Sequence, residues 1–169
     1  VYTSVNPSTK MDIGLLSVAD RTSSAYLETS FNELHGQVSP DGRWLAYTSD
    51  ESGSWEVYVQ SFPTPGHRRT ISLNGGAQPR WRRDGKELFY LSTDRRLMAV
   101  KVHPGVDARG VIDVGMPEAL FQTRIRGTLA SPWEEYTVSA DGQRFLICET
   151  ERLEPSMTVV VNWATALSK

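Results

Sequence analysis

Three stretches of the chain are variations on one hairpin, and that recurrence limits the fold more than any other property. They are "QVSPDGRWLAYTS" from Gln37, "RWRRDGKELFYLS" from Arg80 and "TVSADGQRFLICE" from Thr137. Each runs from an apolar entry through a turn ending in Asp-Gly to a dense apolar burst. Proline presets φ for the second position of a type I turn, aspartate bonds back to local backbone, and glycine takes the left-handed conformation that restores strand pairing. Arg83 and Ala140 stand where the first copy has Pro40, which weakens the preset but keeps the aspartate and the glycine. The bursts "WLAY", "LFYL" and "FLIC" do not alternate cleanly, so strands covered on both faces are expected. On that reading Cys148, which closes "FLIC", is a small buried side chain rather than a nucleophile.

The spacing of the copies sets the size of the repeating unit. Asp41 and Asp84 lie 43 residues apart, and Asp84 and Asp141 lie 57 apart. The first value is the length of one blade of a β-propeller, and the second implies an insertion of about a dozen residues. The Gly- and Pro-rich segment 103–117, "HPGVDARGVIDVGMP", is where a loop would lengthen. A third strand follows each hairpin ("WEVYVQSF", "RLMAVKV", "MTVVVNW") and a more polar fourth follows two of them ("RRTISL", "EALFQT"). Before residue 31, "VYTSVN", "DIGLLSV" and "SSAYLET" read as the second, third and fourth strands of an earlier unit. The expected fold is all-β, a partial propeller of about four antiparallel four-stranded blades with the outer two incomplete. It forms a single domain with units near 1–30, 31–74, 75–124 and 125–169. Fourteen strands are expected on this pattern, with a helical stub only at "WATALSK".

Composition excludes several function classes. Of 169 residues, 39% are hydrophobic and 22% charged, the balance of a globular protein. A net charge of −2 leaves no basic field for nucleic acid or an anionic membrane surface. The lone cysteine forms no internal disulfide. No segment is long and apolar enough to span a membrane as a helix, and the first residues do not resemble a signal peptide. A chain opening at Val1, in mid-strand by this reading, is expected to come from a longer parent or from processing.

Catalytic signatures are absent from the sequence: no G-x-S-x-G elbow, no H-E-x-x-H, no Gly-rich phosphate loop and no kinase catalytic motif. His35, His67 and His103 fall in separate predicted loops without ligand spacing, so exposed histidines and no metal site are expected. Asp41, Asp84 and Asp141 occupy turn positions on separate blades rather than one carboxylate cluster. Asp50 and Glu51 in "DESG" fall short of a calcium cage. Trp44 and Trp81 read as packing between blades, whereas Trp133 in "ASPWEEY" is a loop aromatic that could face a ligand. No cofactor is implied. In a propeller, ligands gather at the mouth of the central channel, among the loops that lead into the innermost strands. Those loops are "FNELHGQ", "NGGAQPR" and "SPWEEY", and the candidate rim is Asn32, Glu33, His35, Gln78, Arg80, Trp133 and Glu134.

The run "SPDGRWLAYTSDESG", then "EVYV", "GGAQPRWRRDGKELFYLS", "LMAV" and the closing "YTVSADGQRFLI", resembles the TolB-like (WD-like) propeller repeats of bacteria. It is most similar to those that form the C-terminal half of bacterial serine/threonine protein kinases and related regulators. The resemblance spans about Asp12 to Leu167, though the chain is short for the usual ring of six or more blades and lacks the Gly-His and Trp-Asp signatures of WD repeats. It implies a non-catalytic scaffold or sensor in a larger signalling protein, with a protein or peptide partner, on the outer side of a bacterial membrane. The alternative is a propeller that gates a peptidase similar to prolyl oligopeptidases, which would require a hydrolase domain elsewhere. A propeller left open exposes edge strands and an apolar blade face, so homo-oligomerisation, or dependence on further blades, is expected.

Overall fold

A computed structural model describes residues 1–106, 110–125 and 127–150, together with the backbone of 155–161. Among the described residues there are fifteen strands, every pair antiparallel, and no helix. They make four sheets in chain order. The first is β1 (Tyr2–Asn6), β2 (Lys10–Leu16) and β3 (Ser23–Leu27). The second is β4 (Glu33–Val38), β5 (Trp44–Ser49), β6 (Glu56–Ser61) and β7 (Arg68–Thr70). The third holds β8 (Gly76–Trp81), β9 (Glu87–Ser92), β10 (Arg96–Val106), β11 (Ile112–Val114) and β12 (Glu118–Gln122), the last two both pairing with β10. The fourth is β13 (Tyr136–Val138), β14 (Arg144–Thr150) and β15 (Pro155–Val161). Up-and-down sheets of this size, each packed face to face on the next, are the blades of a partial β-propeller whose outer two blades have three strands each.

The three Asp-Gly turns are built alike. Gly42, Gly85 and Gly142 sit at φ of 70°, 72° and 71°. Each glycine donates its N–H to the carbonyl three residues back, on Ser39, Arg82 and Ser139, at 2.9 Å. Each aspartate then accepts the amide two residues on: Arg43 on Asp41 at 3.2 Å, Lys86 on Asp84 at 3.0 Å and Gln143 on Asp141 at 3.0 Å. A carboxylate able to take these local donors and a residue free to adopt positive φ are what the hairpin needs, which is why they persist where proline does not.

Apolar side chains fill the three spaces between sheets. Ile13, Leu45, Tyr47 and Tyr58 pack between the first and second, with Tyr47 and Tyr58 stacked at 5.6 Å. Trp44, Val57, Val59, Leu88, Tyr90 and Val100 pack between the second and third, and Trp81 lies against them with its indole N–H on the Gln37 carbonyl at 3.0 Å. Phe89, Leu97, Tyr136, Phe145 and Ile147 pack between the third and fourth, where Phe89 meets Phe145 edge-on at 5.0 Å. Every residue of β5 is buried, because it has a sheet on each side.

Four expectations need correction. Cys148 is exposed, not buried. The run "FLIC" alternates: Phe145 and Ile147 are 0% and 1% exposed and Leu146 is 39%, because among the described residues β14 has a sheet against one face only. The segment 103–117, expected as a loop, contributes strands in its described residues. β10 runs on to Val106 and folds back as β11, pairing Val102 with Val114 and Val106 with Ile112, so the insertion adds a fifteenth strand. Its apolar residues Val111, Ile112 and Val114 are buried in the core between the second and third sheets, and Arg69 of β7 donates to the Ile112 carbonyl at 3.2 Å. Finally, His35 lies in a strand and is 6% exposed, while His103 lies in β10. The stub expected at "WATALSK" falls outside the described residues.

Candidate functional site: the rim of the innermost strands

The innermost strands β4 and β8 share an irregularity that the sequence repeat conceals. His35 and Gln78, 43 residues apart, both sit at positive φ, 56° and 58°. Pairing with the next strand slips at both places, between Leu34 and Gln37 and between Ala77 and Arg80. A left-handed residue other than glycine in a strand is costly and is held by its surroundings. Here the holding groups belong to the segment before β13. His35 Nε2 reaches the Ser131 carbonyl at 2.8 Å, and its Nδ1 lies 3.3 Å from the Thr48 hydroxyl. A carbonyl only accepts, so Nε2 carries the proton, and Nδ1 is free to accept from Thr48. Thr48 Oγ1 in turn accepts the Gln78 amide at 3.0 Å. Gln78 donates Nε2 to the Trp133 carbonyl at 3.3 Å and accepts the Glu135 amide on Oε1 at 2.8 Å, while its own carbonyl accepts the Tyr136 hydroxyl at 2.9 Å.

Electrostatics reinforce this clasp. The Arg80 guanidinium, 7% exposed, pairs with Glu134 and stands 5.9 Å from the centre of the Tyr136 ring. Glu134 also accepts from Gln37 Nε2 at 3.5 Å. Loss of hydration lowers the pKa of His35 below its ordinary value, and Arg80 nearby lowers it further against the opposing pull of the Ser131 carbonyl and Glu134. The imidazole is therefore neutral at pH 7. A shallow recess of about 150 Å³ beside the clasp is lined by Tyr2, Thr3, His35, Gln37, Pro132 and Glu134.

The structure thus brings His35, Gln78, Arg80 and Glu134 together, and Trp133 rides on the same segment with its side chain 75% exposed. Asn32 stands apart, closing the far end of the β4–β5 hairpin by donating its amide and Nδ2 to Asp50 at 2.8 and 2.6 Å. Glu33 is buried, with one carboxylate oxygen accepting from the Thr29 hydroxyl at 2.6 Å and the other unpartnered. Loss of hydration raises its pKa to about 7; the Thr29 hydroxyl opposes this, and Asp12, Asp50 and Glu51 add to it. Thr48, Ser131 and Tyr136 belong to the clasp and carried no sequence signal, since each acts on a residue far along the chain. Among the described residues no three His, Cys, Asp or Glu side chains converge as metal ligands.

No family model matches the chain, and no curated protein matches its sequence. Solved structures do. TolB from Acinetobacter baumannii superposes with a TM-score of 0.52 at 15% identity, over 95% of this chain and 49% of that one. A putative 6-phosphogluconolactonase from Bacteroides uniformis gives 0.54 at 14%, over 95% and 55%. An oligogalacturonate lyase from Vibrio parahaemolyticus gives 0.51 at 11%, over 98% and 46%. These likenesses establish the fold, a propeller similar to that of TolB, and the chain spans about half the length of each.

Proposed function

We propose that the protein is a non-catalytic recognition module, a scaffold or sensor that presents the rim around Trp133 to a protein or peptide partner within a larger bacterial signalling protein. One observation carries the reading. The segment holding Trp133 is fixed through its backbone by His35 and Gln78, so the indole is exposed yet anchored at both sides. A large aromatic held out at low entropy cost is the usual anchor of a protein interface. Glu134, half exposed on the same segment, supplies a polar partner beside it.

A displayed peptide library panned on the protein tests this. Peptides recovered on the wild type should bind Trp133→Ala at least about thirtyfold more weakly, as loss of an interface anchor does. The variant's melting should change little, because Trp133 is largely exposed. Undiminished binding by Trp133→Ala would overturn the reading.

A further inference from the structure

On the side of the Asp-Gly turns, a cleft of about 280 Å³ opens between the second and third sheets. Trp44, Trp81, Val102 and Ile112 line it, the last two contributed by the β10–β11 ribbon. The matching place one junction on is filled. There a Cβ built on Gly142 would lie 2.5 Å from Arg82 Cδ, whereas the nearest atom to one built on Gly85 is Pro40 Cδ at 3.7 Å. The ribbon therefore walls off a space that the next junction closes with an arginine side chain.

The charge at the rim of this cleft follows the repeat. Arg43 and Lys86 each come directly after the Asp-Gly of their turn, and both line the opening. Among the described residues neither makes an ion pair. Asp41 and Asp84 line the opening as well, each held within its own turn. Asp84 is gripped by two nitrogens of Arg82 at 2.6 and 2.7 Å, and Asp41 accepts the Ser39 hydroxyl at 2.6 Å. His103 faces Asp113 at 3.1 Å. Two cations outside any ion pair thus stand over a floor of two indoles and two aliphatic side chains, with Lys86 near enough to Asp84 to favour that carboxylate's charge.

We propose that this cleft binds a small ligand that joins a flat apolar group to a carboxylate. The indoles and aliphatic side chains receive the flat group, and Arg43 and Lys86 approach the carboxylate from opposite turns. A volume of about 280 Å³ is enough for a single ring with its acid. The acid is either free or the C-terminus of a peptide ending in an aromatic residue.

Nuclear magnetic resonance of the ¹⁵N-labelled protein tests the assignment through the tryptophan indole N–H signals, with Trp81 assigned by Trp81→Phe. The probes are 3-phenylpropionate, 3-phenylpropylamine and the tripeptide Gly-Gly-Phe with a free C-terminus. The acid should shift the Trp81 signal saturably at about millimolar concentration, the range expected of a ligand this small, and the amine should not. Arg43→Gln with Lys86→Gln, both on exposed side chains, should weaken the acid about tenfold without lowering the melting temperature. Tighter binding of the tripeptide than of 3-phenylpropionate identifies a peptide C-terminus as the natural form, and the reverse a free acid. No shift at about 10 mM acid, an equal shift with the amine, or undiminished binding by the double variant would each overturn the proposal.

Discussion

Glu33 shows how a single side chain can be placed by a nonlocal environment. It opens β4, 2% exposed, with a carboxylate oxygen that has no partner and with Asp12, Asp50 and Glu51 close enough to disfavour its charge. Its pKa rises from an ordinary 4.5 to about 7 in the folded chain, so the folded state binds the proton more tightly than the unfolded one. The stability this contributes is complete below the unfolded value and is lost as pH rises through the folded one. Wild-type melting should therefore fall between about pH 5 and about pH 8, and Glu33→Gln, which keeps the shape without the charge, should remove most of that fall. Equal slopes for the two proteins would show that the carboxyl is ionised throughout. Tyr136 makes a simpler case. Its buried hydroxyl donates to the Gln78 carbonyl, so Tyr136→Phe should cost about 1 kcal/mol in denaturant unfolding. It should also loosen the segment that carries Trp133. A change within error would mean that water replaces the phenol there.

At the scale of elements, the hairpins were legible in the sequence because everything they need is within a few residues: the aspartate, the glycine and the apolar burst that follows. The rim was legible only in part. Its location follows from propeller geometry, but the burial of His35 and the exposure of Trp133 depend on a segment almost a hundred residues further along the first repeat's chain path, as the contact between His35 and Ser131 shows. No local pattern marks a left-handed histidine in a strand. The ribbon was missed for another reason. Its glycines and prolines signal a turn, yet Val111, Ile112 and Val114 are buried against the neighbouring sheet, and that partner is invisible to periodicity. The ribbon is accordingly part of the core rather than an ornament. Ile112→Ala should cost about 2–5 kcal/mol, the loss for truncating a fully buried isoleucine, measured by urea unfolding. A loss below about 0.5 kcal/mol would place the ribbon outside the cooperative unit.

At the scale of the whole molecule, the decisive contrast lies between inner and outer blades. β5 is buried along its length because a sheet covers each of its faces, whereas β14 shows Leu146 and Cys148 on an open face. At the other end, Val5, Leu16 and Val18 are 80%, 56% and 86% exposed on or beside the first sheet. Apolar residues on an uncovered blade face and unpaired strand edges favour pairing with another chain. Isolated as these 169 residues, the protein should therefore self-associate, with a mass by size exclusion and light scattering that exceeds the 18.9 kDa of one chain. Leu146→Glu, which places a charge on the open face of β14 without touching the core behind it, should shift that mass towards the monomer. A wild type that elutes as a clean monomer at high concentration would show that the open blades tolerate water, and that closure of the ring is not what the exposed leucine serves.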